Sequence, residues 1–153
     1  MREIFDDDEC EAVILVDANN AFNSLNRSVA LHNIQYVCPP FAPILINTYR
    51  NPARLVVNNG RELLSREGTT QGENLAMSFY AVSIKVMLDN LSSLSSNPEV
   101  GSVKQVWLAD DGTGAGKLQS LKSWWDTVLT EGAKIGFHVN ASKFWLIAKD
   151  EKF

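Results

Sequence analysis

The sequence is poorest in the residues from which metal cages, cross-links and membrane anchors are built. Its 153 residues include only two cysteines and two histidines. Cys10 and Cys38 stand apart, with no CxxC pair and no histidine at ligand spacing, so neither a zinc site nor a disulfide framework is expected. No apolar run approaches the roughly 20 residues that span a bilayer. The acidic opening from Met1 to Glu11 is opposite in character to a signal or transit peptide. These absences predict an intracellular chain, in cytoplasm or nucleus and not secreted, with no membrane partner. Basic residues are scarce as well: 14 Lys and Arg against 18 Asp and Glu leave a net charge of −4. Affinity for phosphate backbones comes mostly from Lys and Arg, so a free-standing nucleic-acid binder is disfavoured and any such role needs basic surface from elsewhere. The nine glycines form neither GxGxxG nor GxxxxGK[ST] behind a strand, which excludes the Rossmann and P-loop arrangements.

What is present is a core. At 45% apolar residues the chain reads as one globular domain over residues 12–150, preceded by a solvated acidic tail, 1–11, that holds Asp6, Asp7, Asp8, Glu9 and Glu11. No internal repeat or domain boundary interrupts it. The chemistry concentrates where apolar strands end in acids. The run from Val103 to Leu108 stops at Ala109-Asp110-Asp111 and a glycine-rich turn through Gly112, Gly114 and Gly116, and the run Ala12–Val16 stops at Asp17. Adjacent strand side chains face opposite ways, so Asp110 and Asp111 can share an ion only where the strand breaks into that turn. An Asp-Gly hairpin with solvated charges is the plain alternative. Two strands each ending in Asp bring three carboxylates to one sheet edge, where their repulsion calls for hard divalent cations.

The rest of the chain alternates helix and strand. Phe22, Leu25 and Val29 predict a helix capped by Asn20 or Ser24 and ending near Asn33 to Tyr36, and Phe41, Ile44, Leu45 and Thr48 a second one ending near Tyr49. Arg54–Val57 and Glu62–Leu64 flank Asn58-Asn59-Gly60 as a hairpin whose turn needs positive φ. A polar loop from Arg66 to Gly72 then opens a long helix with Leu75, Phe79, Val82, Val86 and Met87 on its buried face, dissolving from Leu91 onward. Leu118, Leu121, Trp125 and Val128 form the stripe of a further helix ending around Gly132; Trp124 and Trp125 are expected to cap or fill the core, and Trp124, off the stripe, could contact a partner if exposed. Phe137–Val139 and Lys143–Ala148 read as strands. This order predicts an α+β fold, a mixed or antiparallel sheet with helices packed on one face.

Four segments resemble the motifs of reverse transcriptases. Asp17-Ala18-Asn19-Asn20-Ala21-Phe22 is similar to motif A, Glu67-Gly68-Thr69-Thr70-Gln71-Gly72 with Leu75 to motif B, Ala109-Asp110-Asp111 to motif C, and Gly136 through Asn140 to Lys143 to motif D. They occur in the family's order over nearly the whole chain. The style is closest to retrotransposon and other non-retroviral members.

The resemblance implies the palm of a right-hand polymerase, with fingers and thumb largely absent. It implies an RNA-directed DNA polymerase that uses two Mg²⁺, or Mn²⁺ in their place, to add deoxynucleotides to a primer 3′-hydroxyl. In it the metals fall to Asp17 and Asp110 with Asp111 as helper and the Ala18 carbonyl as a further ligand. Phe22 sits under the incoming sugar and excludes a 2′-hydroxyl, Gln71 and Gly72 line the nucleotide and template pocket, and Lys143 stabilises or protonates the pyrophosphate. Primer-template and deoxynucleoside triphosphates are the implied partners, with further domains or a partner chain completing the enzyme. The other class is a catalytically silent, retroelement-derived palm serving as a binding or scaffolding module. A palm-type nucleotidyl cyclase is the distant competitor, and the Gly-Gly-acidic turn it needs is missing.

Overall fold

The computed structural model describes residue 5 and residues 10–70, 72–95 and 101–149. Gln71 and most of the acidic tail lie outside them. The first strand, β1 (Ala12–Val16), is central to a four-stranded antiparallel sheet with β4 (Lys104–Leu108), β5 (Asp111–Gly116) and β6 (Trp145–Ala148), in the order β4-β5-β1-β6. β2 (Ala53–Val56) and β3 (Glu62–Ser65) form a separate two-stranded ribbon. Helices fill the intervals between the described strands: α1 (Ala21–Ser24), α2 (Arg27–Val37), α3 (Ala42–Tyr49), α4 (Ala76–Ser95) and α5 (Leu118–Ile135). None is long and apolar enough to cross a membrane.

Alternation along β1 decides what each face does. Ala12, Ile14 and Val16 join the main core with Leu25, Ile34, Leu45, Phe79, Met87, Leu121 and Val128 of the helices, while Val13 belongs to a small cluster with Cys10 and Ala115 on the opposite side. The helices therefore cover one face, as the element order predicted, and the other carries that small cluster, with Phe5 and Leu15 against it, and leaves Leu108 76% and Trp145 65% exposed. Both thiols are free.

Local details depart from the expected pattern. The first helix is two, because Leu25 and Asn26 leave helical geometry and the Asn26 side chain accepts from the Val29 amide to start α2 afresh. α4 runs past Leu91 to Ser95, since Leu91 is fully buried and the Ser92 and Ser93 hydroxyls bond back to the Leu88 and Asp89 carbonyls. α5 ends at Ile135 and not at Gly132, with Gly136 at φ 82 as its left-handed stop. Phe137–Val139 forms only a single bridge, Val139 to Ala18. Trp124 is the largest fully buried side chain, and Trp125, half-buried, leans on Phe144. The true stripe is Leu121, Trp124, Val128 and Ile135, so Trp124 is not open to a partner.

The glycines after the acids are not the turn. Leu108 pairs with Asp111, so the hairpin tip is Ala109-Asp110 alone and Gly112, Gly114 and Gly116 belong to β5. A Cβ on Gly112 would lie 2.6 Å from the Trp107 ring, and one on Gly114 would lie 3.3 Å from Trp124. These two positions give the indoles the space a side chain would fill. Both indole N–H groups donate to one acceptor, Gln105 Oε1, at 3.0 and 2.9 Å.

Candidate active site

Asp17 leaves β1 one residue past its last paired position, beside the β4–β5 tip. Val16 pairs with Gly112 and Leu108 with Asp111, so register alone sets Asp17 next to Asp111 and the tip residue Asp110. The tip itself is unusual: Ala109 takes φ 53, a left-handed value that a non-glycine residue adopts only where its surroundings hold it. A positive φ at a turn residue is a feature of the primed turns, which suit the twist of a hairpin.

The segment after Asp17 is clamped from both sides. The Asn140 amide donates to the Asp17 carbonyl at 2.8 Å and the Asn19 amide to the His138 carbonyl at 2.6 Å, a bridge that leaves the Ala18 carbonyl outside its pairing. Asn140 also caps the short 3₁₀ turn Ala141–Lys143 by accepting from Ser142. That turn aims Lys143, whose Nζ donates to Asp17 Oδ2 at 2.7 Å across 126 residues of sequence. The Lys143 side chain is exposed and that of Asp17 only 15% so. The hydrogen bond and charge of Asp17, then the charges of Asp111 and Asp110, hold the Lys143 ammonium above the ordinary lysine range.

The other oxygen, Asp17 Oδ1, is buried and has no hydrogen-bond partner among the described residues; the hydroxyl of Tyr80, on α4, is in the same condition. Burial first, then the charges of Asp110 and Asp17, push the Tyr80 hydroxyl well above the ordinary phenol range. Two carboxylates from sequence-distant strands thus act on one buried hydroxyl. The Tyr80 ring stacks on Phe22 with centroids 4.7 Å apart, so the residue expected beneath a sugar is half-buried and seated beside the acids. Asp111 is exposed and, with Asp17, Lys143, Thr113 and Trp145, lines an open groove of about 460 Å³ on the face opposite the helices.

The loop before α4 is tied down by a residue with no warning in the sequence. Arg27 is buried, with its guanidinium donating to the carbonyls of Ser65, Glu67 and Gly68 and to the Ser65 hydroxyl, and it lies over the Tyr49 ring. The amides of Gly68 and Thr69 in turn reach the Leu25 and Phe22 carbonyls. Tyr49 donates a very short hydrogen bond to Glu73, fixing the chain beyond Gly72, which is exposed at φ 86. A buried arginine at a helix start is invisible to periodicity. Tyr80 carried a weak signal, one residue after Phe79 on a helix whose stripe already had an aromatic.

Among the described residues no three His, Cys, Asp or Glu side chains gather as a ready-made metal cage. The donor set instead suits a cation that keeps much of its water and is held by one or two carboxylates, the habit of Mg²⁺. The orphaned Asp17 Oδ1 is consistent with that fit.

The backbone is similar to solved telomerases, reverse-transcriptase-related enzymes. Apo telomerase from Candida tropicalis truncated from its C-terminal domain matches with a TM-score of 0.74 and 15% identity over 99% of this chain. The Candida tropicalis enzyme in complex with the TWJ fragment of telomeric RNA gives 0.75, 14% and 99%. The Candida albicans complex with such a fragment gives 0.67, 13% and 90%. This chain spans 34%, 28% and 28% of those three chains. No protein-family model and no curated protein matches the sequence. At such identity the likeness establishes the fold alone: an α+β, polymerase palm-like domain.

Proposed function

We propose that the chain is the palm of an RNA-directed DNA polymerase of retrotransposon type, a nucleotidyltransferase that binds primer-template and deoxynucleoside triphosphates and is completed by further domains or a partner chain. The observation that carries this reading is the strand register that sets Asp17 beside Asp111 and the tip residue Asp110, with Phe22, five residues after Asp17, stacked on Tyr80. The resemblance of the four motifs and the likeness to telomerases, two of them solved with telomeric RNA, support it.

In this reading Asp17 and Asp110 hold Mg²⁺, with Asp111 and the Ala18 carbonyl assisting. When bound, the cations neutralise phosphate charge and activate the primer 3′-hydroxyl. Phe22, backed by Tyr80, presents an aromatic surface to the sugar and leaves no acceptor or space for a 2′-hydroxyl. The resemblance assigns Gly72 and Gln71 to the nucleotide pocket, and Gly72 leaves open space for close backbone approach. Lys143, kept protonated beside three carboxylates, supplies positive charge and a proton to the departing pyrophosphate. Its ion pair with Asp17 neutralises that carboxylate until substrate draws the ammonium away.

That same ion pair favours the second reading, a silent palm kept as a binding or scaffolding module, in which Lys143 stands permanently where a cation would be. Calorimetric titration with Mn²⁺ separates the two. The active reading expects binding by the native chain that Asp110→Asn abolishes; equal, weak binding by both proteins would sink it. In primer extension by the completed enzyme, Phe22→Ala is expected to admit ribonucleotides that the native protein rejects.

A further inference from the structure

Tyr80 Oη and Asp17 Oδ1 are buried and lack a hydrogen-bond partner among the described residues, as do Thr69 Oγ1 and Ser95 Oγ; of the three hydroxyls, that of Tyr80 belongs to a ring stacked on Phe22, five residues after Asp17. Tyr80 is 1% exposed, and its ring is already committed to Phe22 on one side and to the helix-covered core. A phenylalanine would serve that packing equally well. Leaving a buried hydroxyl unsatisfied costs on the order of 1–3 kcal/mol, so this oxygen calls for a polar partner that the packing does not supply.

We infer that Tyr80 is a positioning residue for the cation site: its hydroxyl is hydrogen-bonded to a water retained by a divalent cation on Asp17 and Asp110, and this bond sets cation affinity. The inference rests on the reading of the acids as a cation site and goes beyond it, since Tyr80 lies outside the four motifs. Three features favour the assignment. A cation that keeps several waters needs outer partners to orient them, and such partners are commonly worth 10–100-fold in affinity. The hydroxyl and the free carboxylate oxygen are both buried, so a water bound to either is shielded from exchange with bulk solvent. Finally, the same side chain seats Phe22, so one residue of α4 couples the position of the sugar-facing ring to the occupancy of the acids.

The test compares the native chain, Tyr80→Phe and Asp110→Asn by Mn²⁺ calorimetry, by thermal melting in EDTA, and by the near-ultraviolet tyrosine difference spectrum on adding Mn²⁺. The expected result is roughly tenfold or greater loss of Mn²⁺ affinity in Tyr80→Phe, a melting temperature in EDTA equal to or above native, and a tyrosine difference signal that Tyr80→Phe lacks. A purely structural hydroxyl would leave Mn²⁺ affinity untouched. If Tyr80→Phe binds Mn²⁺ like the native chain while Asp110→Asn does not, the role given to Tyr80 is overturned and the cation site stands. If Tyr80→Phe melts several degrees lower in EDTA, the hydroxyl serves the fold and the inference fails. If the native chain binds no better than Asp110→Asn, the cation site itself is overturned, and the inference with it.

Discussion

At the scale of single residues, Lys143 is the group whose protonation matters most. Its ammonium is held above the usual lysine range by the hydrogen bond and charge of Asp17. A cation stabilised in the folded state contributes fully below the unfolded lysine value of about 10.4 and loses that contribution as pH rises through its higher folded value. The stability difference between the native chain and Lys143→Met, read from urea midpoints, should therefore stay level through neutral pH and close under alkaline conditions; a gap independent of pH would show that the pair carries none of it. Gln105 has the opposite character, a neutral acceptor for two indoles. Gln105→Leu should cost about 2–4 kcal/mol in denaturant unfolding, because it leaves the Trp107 and Trp124 N–H groups without their shared partner. Arg27→Met should cost about 3 kcal/mol, since three backbone carbonyls and a hydroxyl lose one donor at once.

At the scale of elements, the junctions carry more information than the elements they join. α2 starts where Asn26 caps it, and its first residue, Arg27, then holds the loop that leads into α4. The end of α5 is fixed equally firmly: Gly136 takes φ 82, and a Cβ there would lie 2.0 Å from the Ser24 carbonyl oxygen, at the close of α1. Two substitutions separate a lost cap from a steric conflict. Asn26→Ala should cost about 1 kcal/mol. Gly136→Ala should cost about 3 kcal/mol or more and loosen the Asp17–Asn140 and Asn19–His138 contacts, visible as faster amide exchange at Asn19 and Asn140. Equal costs would mean that the clamp between these segments yields easily.

At the scale of the whole molecule, α1 to α5 lie on one side of the sheet, and the small cluster of Cys10, Val13 and Ala115 lies on the other. Val106, Leu108, Trp145 and Ile147 lie on that second side, each at least 48% exposed, an apolar surface interrupted by Asp111, Lys143 and Lys104. Such a face adds little to stability and much to stickiness. Leu108→Glu combined with Trp145→Glu should shift unfolding by less than about 1 kcal/mol while sharply reducing binding of an apolar-surface dye; a large loss of stability would show that the face is packed against something.

The sequence alone determined β1, β4, the α4 and α5 helices, the hairpin ribbon and the position of Asp17 and Asp110 at strand ends, because those depend on local periodicity and on breaks in it. That Lys143 reaches Asp17 from the far end of the chain came only with the fold. Only the tertiary structure decided which of two adjacent tryptophans is core, why β5 needs glycines, and that Arg27, Tyr49 and Glu73 brace the loop before α4. Each of those depends on a partner far away in the chain: Trp124 on Gln105 and Gly114, Arg27 on Ser65 to Gly68, Tyr80 on acids brought to it by two different strands. Local patterning says which way a side chain faces, and only the packed fold says what it meets there.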